Sequence, residues 1–140
     1  MSNAILILQS EAKSNDIKLD SKGRSIFSVR ATARLVKVDE KAIRAMLESA
    51  ELKPSKLAET LAEQGFEGAE LEQWKTNGIP DIAVYHIVYY YAHDAGRYCT
   101  EQAKLMAKAF GAMGVRAFSQ KALGYTDRSE AIVSRSPAEI

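Results

Sequence analysis

The sequence predicts a mainly α-helical fold: a helix-turn-helix, preceded by a small β-hairpin and followed by a bundle of C-terminal helices. Three observations predict it. From Arg30 onward apolar residues recur at helical spacing, as in Ile43, Met46, Leu47 and Ala50 at i, i+3, i+4 and i+7. Good capping residues stand ahead of these runs, Asp39 before Glu40 and Ser55 after Pro54. The short β-prone segments at the start of the chain all lie ahead of Arg30.

Taken in order, Ile5 to Gln9 reads as a short strand and Ser10 to Asp20 as a polar, loop-like stretch. A second strand runs from Ser25 to Val29, and Lys22-Gly23 closes a hairpin that pairs Ile17-Lys18-Leu19 with Ile26-Phe27-Ser28. Arg30 to Val36 forms the first short helix and Glu40 to Ala50 the second. The third begins at Pro54-Ser55, runs to about Gln64 and is ended by Gly65. Glu67 to Thr76 is a fourth, and Asn77-Gly78 breaks it. Val84 to Tyr91 has high β-propensity, but it does not alternate polar with apolar residues and Pro80-Asp81 looks like a helix start. Asp81 to His93 is therefore read as a buried helix. Tyr98 to Met113 places Cys99, Ala103, Met106, Ala107 and Phe110 on one stripe. Val115 to Leu123 is the last helix, with Gly124 as its C-cap. The expected organisation is one helical domain over 1–125, with its helix-turn-helix at about 30–50, and a tail or linker over 126–140.

Composition bounds the function classes. In 140 residues, 46% are hydrophobic and 26% charged, which suits one folded domain with a real core. A single cysteine, Cys99, permits no intrachain disulfide and fits a reducing compartment. The apolar run Ala4–Leu8 is too short for a signal peptide, and Ile79–Ala92 is shorter than the ~20 residues that span a bilayer. The expectation is a cytoplasmic protein with no membrane partner. The net charge of +1 predicts no nucleic acid by itself. Its distribution says more: Lys18 to Lys56 carries ten Lys/Arg against five Asp/Glu, whereas Leu57 to Ile82 carries one Lys against six acids.

The basic part contains the pattern with functional content. Ala33 is a small residue where two helices can touch, Leu35, Val38, Ile43 and Leu47 are placed to face a core, and Asp39 caps the second helix. A turn at Lys37-Val38 lets the second helix lie in a major groove and present its N-terminal residues to base edges. Lys41 or Arg44 can donate to guanine acceptors and Glu40 can accept from a cytosine amine. Arg24, Arg30, Arg34 and Lys37, with Lys22, are placed to meet phosphates and set register. Lys37 occupies the turn position that glycine most often fills, so it must take a strained backbone or a different turn.

At these residues the chain resembles a family. Arg30 to Leu47 looks like the small helix-turn-helix opening of phage antirepressor-like and KilA-N/Bro-N-like regulators. Gly78 to Val84, Tyr89-Tyr90-Tyr91-Ala92, and Gln102-Ala103 through Ala112 to Arg116 look like a segment of uncharacterised cyanobacterial proteins of that kind. The resemblance covers about Ser25 to Tyr125. It implies a DNA-associated regulator of phage or mobile-element origin and no catalytic residue.

Other constellations carry less. His86 and His93 stand about 10 Å apart along a helix, too far to chelate one metal, so no metal or other cofactor is expected. Cys99 lacks an orienting group and reads as a buried structural thiol. Gly111 to Gly114 matches a GXXG clamp only superficially and reads as a helix break. No nucleophile, base and orienter share plausible spacing, so an enzyme is not expected. Tyr85, Tyr89, Tyr90, Tyr91 and Tyr98 place large rings on more faces than one small core hides. This points to a homodimer made through the helices of 81–123. The competing reading is an antirepressor-type protein-interaction module, in which the acidic stretch Glu59 to Glu72 and the tyrosine-rich helix bind a protein partner.

Overall fold

The computed structural model describes residues 16–114, together with Leu6, Ile7, Gln9, Ser10, Ala117 and Leu123. The chain forms a mainly helical molecule with one small antiparallel sheet of order β1-β2-β3. Strand β1 (Ile17–Leu19) pairs with β2 (Ser25–Phe27), Ile17 opposite Phe27 and Leu19 opposite Ser25. The register differs by one residue from the expected pairing with Ile26-Phe27-Ser28, and the strand stops short of Val29. The loop sets this difference. One oxygen of Asp20 accepts from the backbone N–H groups of Lys22 and Arg24, each at 2.9 Å, so the turn spans Asp20 to Arg24 and not Lys22-Gly23 alone. The Arg24 N–H, followed by its guanidinium 2.8 Å away, holds the Asp20 carboxyl below the usual carboxylate range.

Ser28 leaves the sheet because its side chain has other work. Its hydroxyl accepts from Ala31 N at 2.9 Å and donates to Asp16 at 3.0 Å, capping helix α1 (Val29–Val36). Val29, Ala31, Thr32, Ala33, Leu35 and Val36 are buried, so α1 is a core helix whose outward face is Arg30 and Arg34. Helix α2 (Glu40–Glu48) follows a three-residue turn and ends two residues before the expected Ala50, which is nevertheless buried. Ser55 caps α3 (Lys56–Glu63) by accepting from Ala58 N at 3.2 Å. Helix α4 (Gly68–Asn77) buries Leu71 and Trp74, and Phe66 meets the Trp74 ring edge-on at 5.3 Å.

The break at Asn77-Gly78 leads into a third strand that the sequence does not announce. Ile79–Pro80, β3, pairs with β2 through Ile26 opposite Pro80 and Phe27 opposite Ile79. A proline is tolerated there because β3 is an edge strand. Gly78 makes the approach possible. Its φ of 91° and ψ of 163° are open essentially to glycine alone, and a Cβ would lie 2.5 Å from Ile26 Cγ2.

Helix α5 (Asp81–Tyr89) starts at Asp81, as expected, and is helical despite its β-propensity, because Ala83, Val84, Ile87 and Val88 are all needed in the core. Asp81 is buried and accepts from Ser25 N at 3.1 Å and Ser25 Oγ at 3.2 Å, tying α5 to β2. Residues Tyr90–Asp94 continue as a π-helical turn, Gly96–Tyr98 form a 3₁₀ turn, and α6 (Glu101–Met113) closes the described body. Helix α6 begins three residues later than the expected Tyr98, with Thr100 as its cap. Ala103, Met106, Ala107 and Phe110 are buried on one stripe, as the spacing predicts, whereas Cys99 is only half-buried because it precedes the helix.

One strand expected from the sequence is not formed: Leu6, Ile7, Gln9 and Ser10 are helical, and Ile7 packs against the core. A run of five apolar residues does not distinguish the two states, and packing decides. Ala117 and Leu123 are helical, while the other residues of 115–122, the Gly124 cap and the 126–140 tail lie outside the described residues. Among the described residues no helix is long and apolar enough to cross a membrane.

Two measurements test this arrangement. Gly78→Ala lowers the unfolding free energy by roughly 1–3 kcal/mol in urea denaturation, because the backbone is forbidden to alanine. Burial holds the His86 imidazole below its ordinary pKa of 6.5, so the fold favours the neutral ring. The stability this contributes is present above pH 6.5 and is lost as pH falls below it. The urea midpoint drops between pH 7 and pH 5.5, and the drop is smaller in His86→Gln.

Candidate functional site

Of the residues singled out in the basic region, Arg30, Arg34, Lys37, Glu40, Lys41 and Arg44 lie on α1, the turn and α2, whereas Arg24 does not join them. Helix α1 ends with Lys37 at φ 57° and ψ 47°, the left-handed conformation usually left to glycine. It is the one non-glycine residue with positive φ among the described residues. An L-residue there costs roughly 1–2 kcal/mol. The position is held because the groups around it are bonded. Val38 N donates to Ala33 O at 3.0 Å and Lys37 N to Arg34 O at 3.3 Å. The remaining carbonyls are met by side chains more than sixty residues away. Thr100 Oγ1 donates to Val36 O at 2.6 Å, and Gln102 Nε2 donates to Leu35 O at 3.1 Å and also to Arg34 O.

Thr100 serves three elements at once. Its hydroxyl accepts from Ala103 N at 3.0 Å, capping α6, and its own N–H donates to Tyr91 O at 3.1 Å in the π turn. The start of α6 thus braces the end of α1. On the other side of the turn, Asp39 accepts from Lys41 N at 2.8 Å and caps α2 as expected. Ala33, Leu35, Ile43 and Leu47 are buried beneath, whereas Val38 is only partly so.

The charged side chains stand outside this frame. Those of Arg30, Arg34 and Arg44 are 60%, 48% and 43% exposed, and Lys37 and Lys41 are exposed as well. Glu40 lies between the helices, 3.6 Å from Arg30 Nε and 3.0 Å from Arg44 Nη2. Arg30, Glu40 and Arg44 therefore form one cluster across α1 and α2. Glu40 is occupied as the counter-ion of two arginines: Arg44 is its i, i+4 partner on the same helix, and Arg30 reaches it across the turn. Arg34 pairs with Asp16 at 3.4 Å. Arg24 belongs to the hairpin loop and pairs inside it with Asp20 at 2.8 Å. Lys37 and Lys41 have no ion-pair partner among the described residues.

Sequence reasoning missed the part played by Thr100 and Gln102. The capping signal was present, a threonine three residues before Ala103, but their acceptors on α1 could not be read from local pattern. It also missed a cavity of about 550 Å³ beside the turn, lined by residues of the turn and of the segment from Tyr90 to Thr100. Among the described residues no group of His, Cys, Asp and Glu is placed to hold a metal ion.

Nothing among protein-family models, curated proteins or solved structures matches the chain.

The bracing of the turn is open to a direct measurement. Thr100→Val keeps the shape of the side chain but leaves the buried Val36 carbonyl and Ala103 N–H without the hydroxyl. It lowers stability by about 1–3 kcal/mol, and amide exchange speeds up selectively over Lys37 to Ala42.

Proposed function

We propose that the chain is a DNA-binding regulator that uses α1, the turn and α2 as a helix-turn-helix, with α2 entering the major groove. One observation carries this reading: Arg30, Arg34, Lys37, Lys41 and Arg44 are all solvent-accessible around a two-helix unit whose inner face is buried. The three-residue turn and the small buried Ala33 suit the motif. Lys41 and Arg44 read base edges near the start of α2, while Arg30, Arg34 and Lys37 meet phosphates.

The ion pairs do not oppose it. Exposed pairs of this kind are worth about 0–1 kcal/mol, so a phosphate displaces a carboxylate from Arg30 or Arg34 at small cost. Glu40 then acts as an internal counter-ion that holds the arginines extended and repels phosphate where contact is poor. Tyr85, Tyr89 and His93 form a continuous ring contact along one side of α5 and the π turn, at 6.2 and 4.7 Å, and Ile82 and Tyr89 are exposed there. A homodimer through this side would present two reading helices to two half-sites. The alternative of a protein-interaction module draws on Leu52, which is 95% exposed in the turn after α2 and beside the acidic helices α3 and α4.

DNA selection from genomic fragments at two salt concentrations tests the reading. A preferred site with paired half-sites is expected, bound with strong salt dependence. Lys41→Ala with Arg44→Ala lowers affinity for that site by about tenfold or more, Arg34→Ala weakens all DNA alike, and Glu40→Gln tightens non-specific binding. Full affinity in the double variant defeats the reading helix. A purified protein partner bound by wild type but not by Leu52→Ser, with no salt-sensitive DNA binding, favours the alternative.

A further inference from the structure

We propose that the cavity beside the α1–α2 turn is a binding site for a small planar aromatic carboxylate, held between the tyrosines of the π turn and the side chains of Lys37 and Arg97. The cavity measures about 550 Å³, within the range of roughly 300–1,000 Å³ typical of small-molecule sites. One wall is aromatic. The rings of Tyr90 and Tyr91 meet edge-on at 5.2 Å, and Tyr98 contributes a third. This wall is formed where α5 ends in a π turn, in which Ala95 N donates to Tyr90 O at 2.9 Å, and the chain then turns back through Gly96–Tyr98.

The charge at the opening selects the ligand. Lys37 and Arg97 both line it, and neither has a carboxylate partner among the described residues. The Arg97 guanidinium sits 5.0 Å from the centre of the Tyr98 ring and donates to the phenol oxygen at 2.9 Å, so it is oriented while its other donors stay available. Asp39 is the one acid in the lining. Its carboxylate is engaged by Lys41 N at the start of α2, where the helix dipole offsets part of its charge. Burial and the neighbouring Tyr90 keep the Tyr91 phenol protonated well into the basic range, so it adds a donor and no second anion. A cationic ligand would meet two like charges, and a neutral ring would leave both unanswered. A flat ring with one carboxylate satisfies the aromatic wall and the guanidinium fork together.

The site stands whether or not α2 reads DNA. The test is an NMR titration of the isotope-labelled full chain with naphthoate and, separately, with naphthalenemethanol, its uncharged counterpart. Saturable amide shifts over Lys37 to Ala42 and Tyr90 to Thr100 are expected with naphthoate, and the alcohol binds about tenfold or more weakly. Arg97→Ala and Lys37→Ala each weaken naphthoate by a similar factor, and both are surface changes that leave the core intact. The proposal is overturned by shifts that do not saturate, by shifts centred elsewhere, by equal binding of the alcohol, or by unchanged affinity in both variants.

Discussion

The end of helix α1 is the point on which the remainder of the molecule turns. Its last carbonyls lie where the chain is buried, and a helix end that has neither water nor partners is costly. Thr100 and Gln102 supply the partners from across the fold, and in doing so fix where α6 starts relative to α1. Because Thr100 also bonds the Tyr91 carbonyl, the π turn, the cap of α6 and the exit of α1 form one hydrogen-bonded junction. The direction in which α2 leaves, and therefore where its cationic residues point, is set by that junction together with the left-handed Lys37.

Charge is arranged around this junction in two classes. Arg30, Arg34 and Arg44 each have a carboxylate close by, in pairs that contribute little to stability. The guanidinium groups of these pairs remain accessible to solvent. Lys37, Lys41 and Arg97 have no such partner among the described residues, and they lie at the turn, on α2 and at the opening of the aromatic cavity. The chain as a whole is nearly neutral, so the unpaired cations matter by position and not by number.

The small sheet shows how a local signal can be right and still incomplete. Ile17 to Leu19 and Ser25 to Phe27 pair as short β-prone runs should, yet the Asp20 carboxylate lengthens the loop and Ser28 is drawn off to cap α1. Gly78 reads plainly as a break, but its second role, letting β3 approach Ile26, depends on a strand fifty residues earlier. Val84 to Tyr91 has the opposite history. Its β-propensity loses to a core that takes Val84, Ile87 and Val88, with the preceding Ala83, on one helical face, and strand preference is at root a preference for packing.

What the residues determine alone is local: the caps at Asp39 and Ser55, the stops at Gly65 and Gly78, and the buried stripes of α2 and α6. These depend on interactions within about four residues, which the order of the chain contains in full. The tertiary structure alone decides the junction at Thr100 and Gln102, the approach of Arg30 to Glu40 across the turn, the helical state of Leu6 and Ile7, and the cavity beside Tyr90 and Tyr91. Each of these joins groups far apart in the chain or chooses between states that local preference leaves nearly equal. The choice then falls to packing and to the satisfaction of buried polar groups.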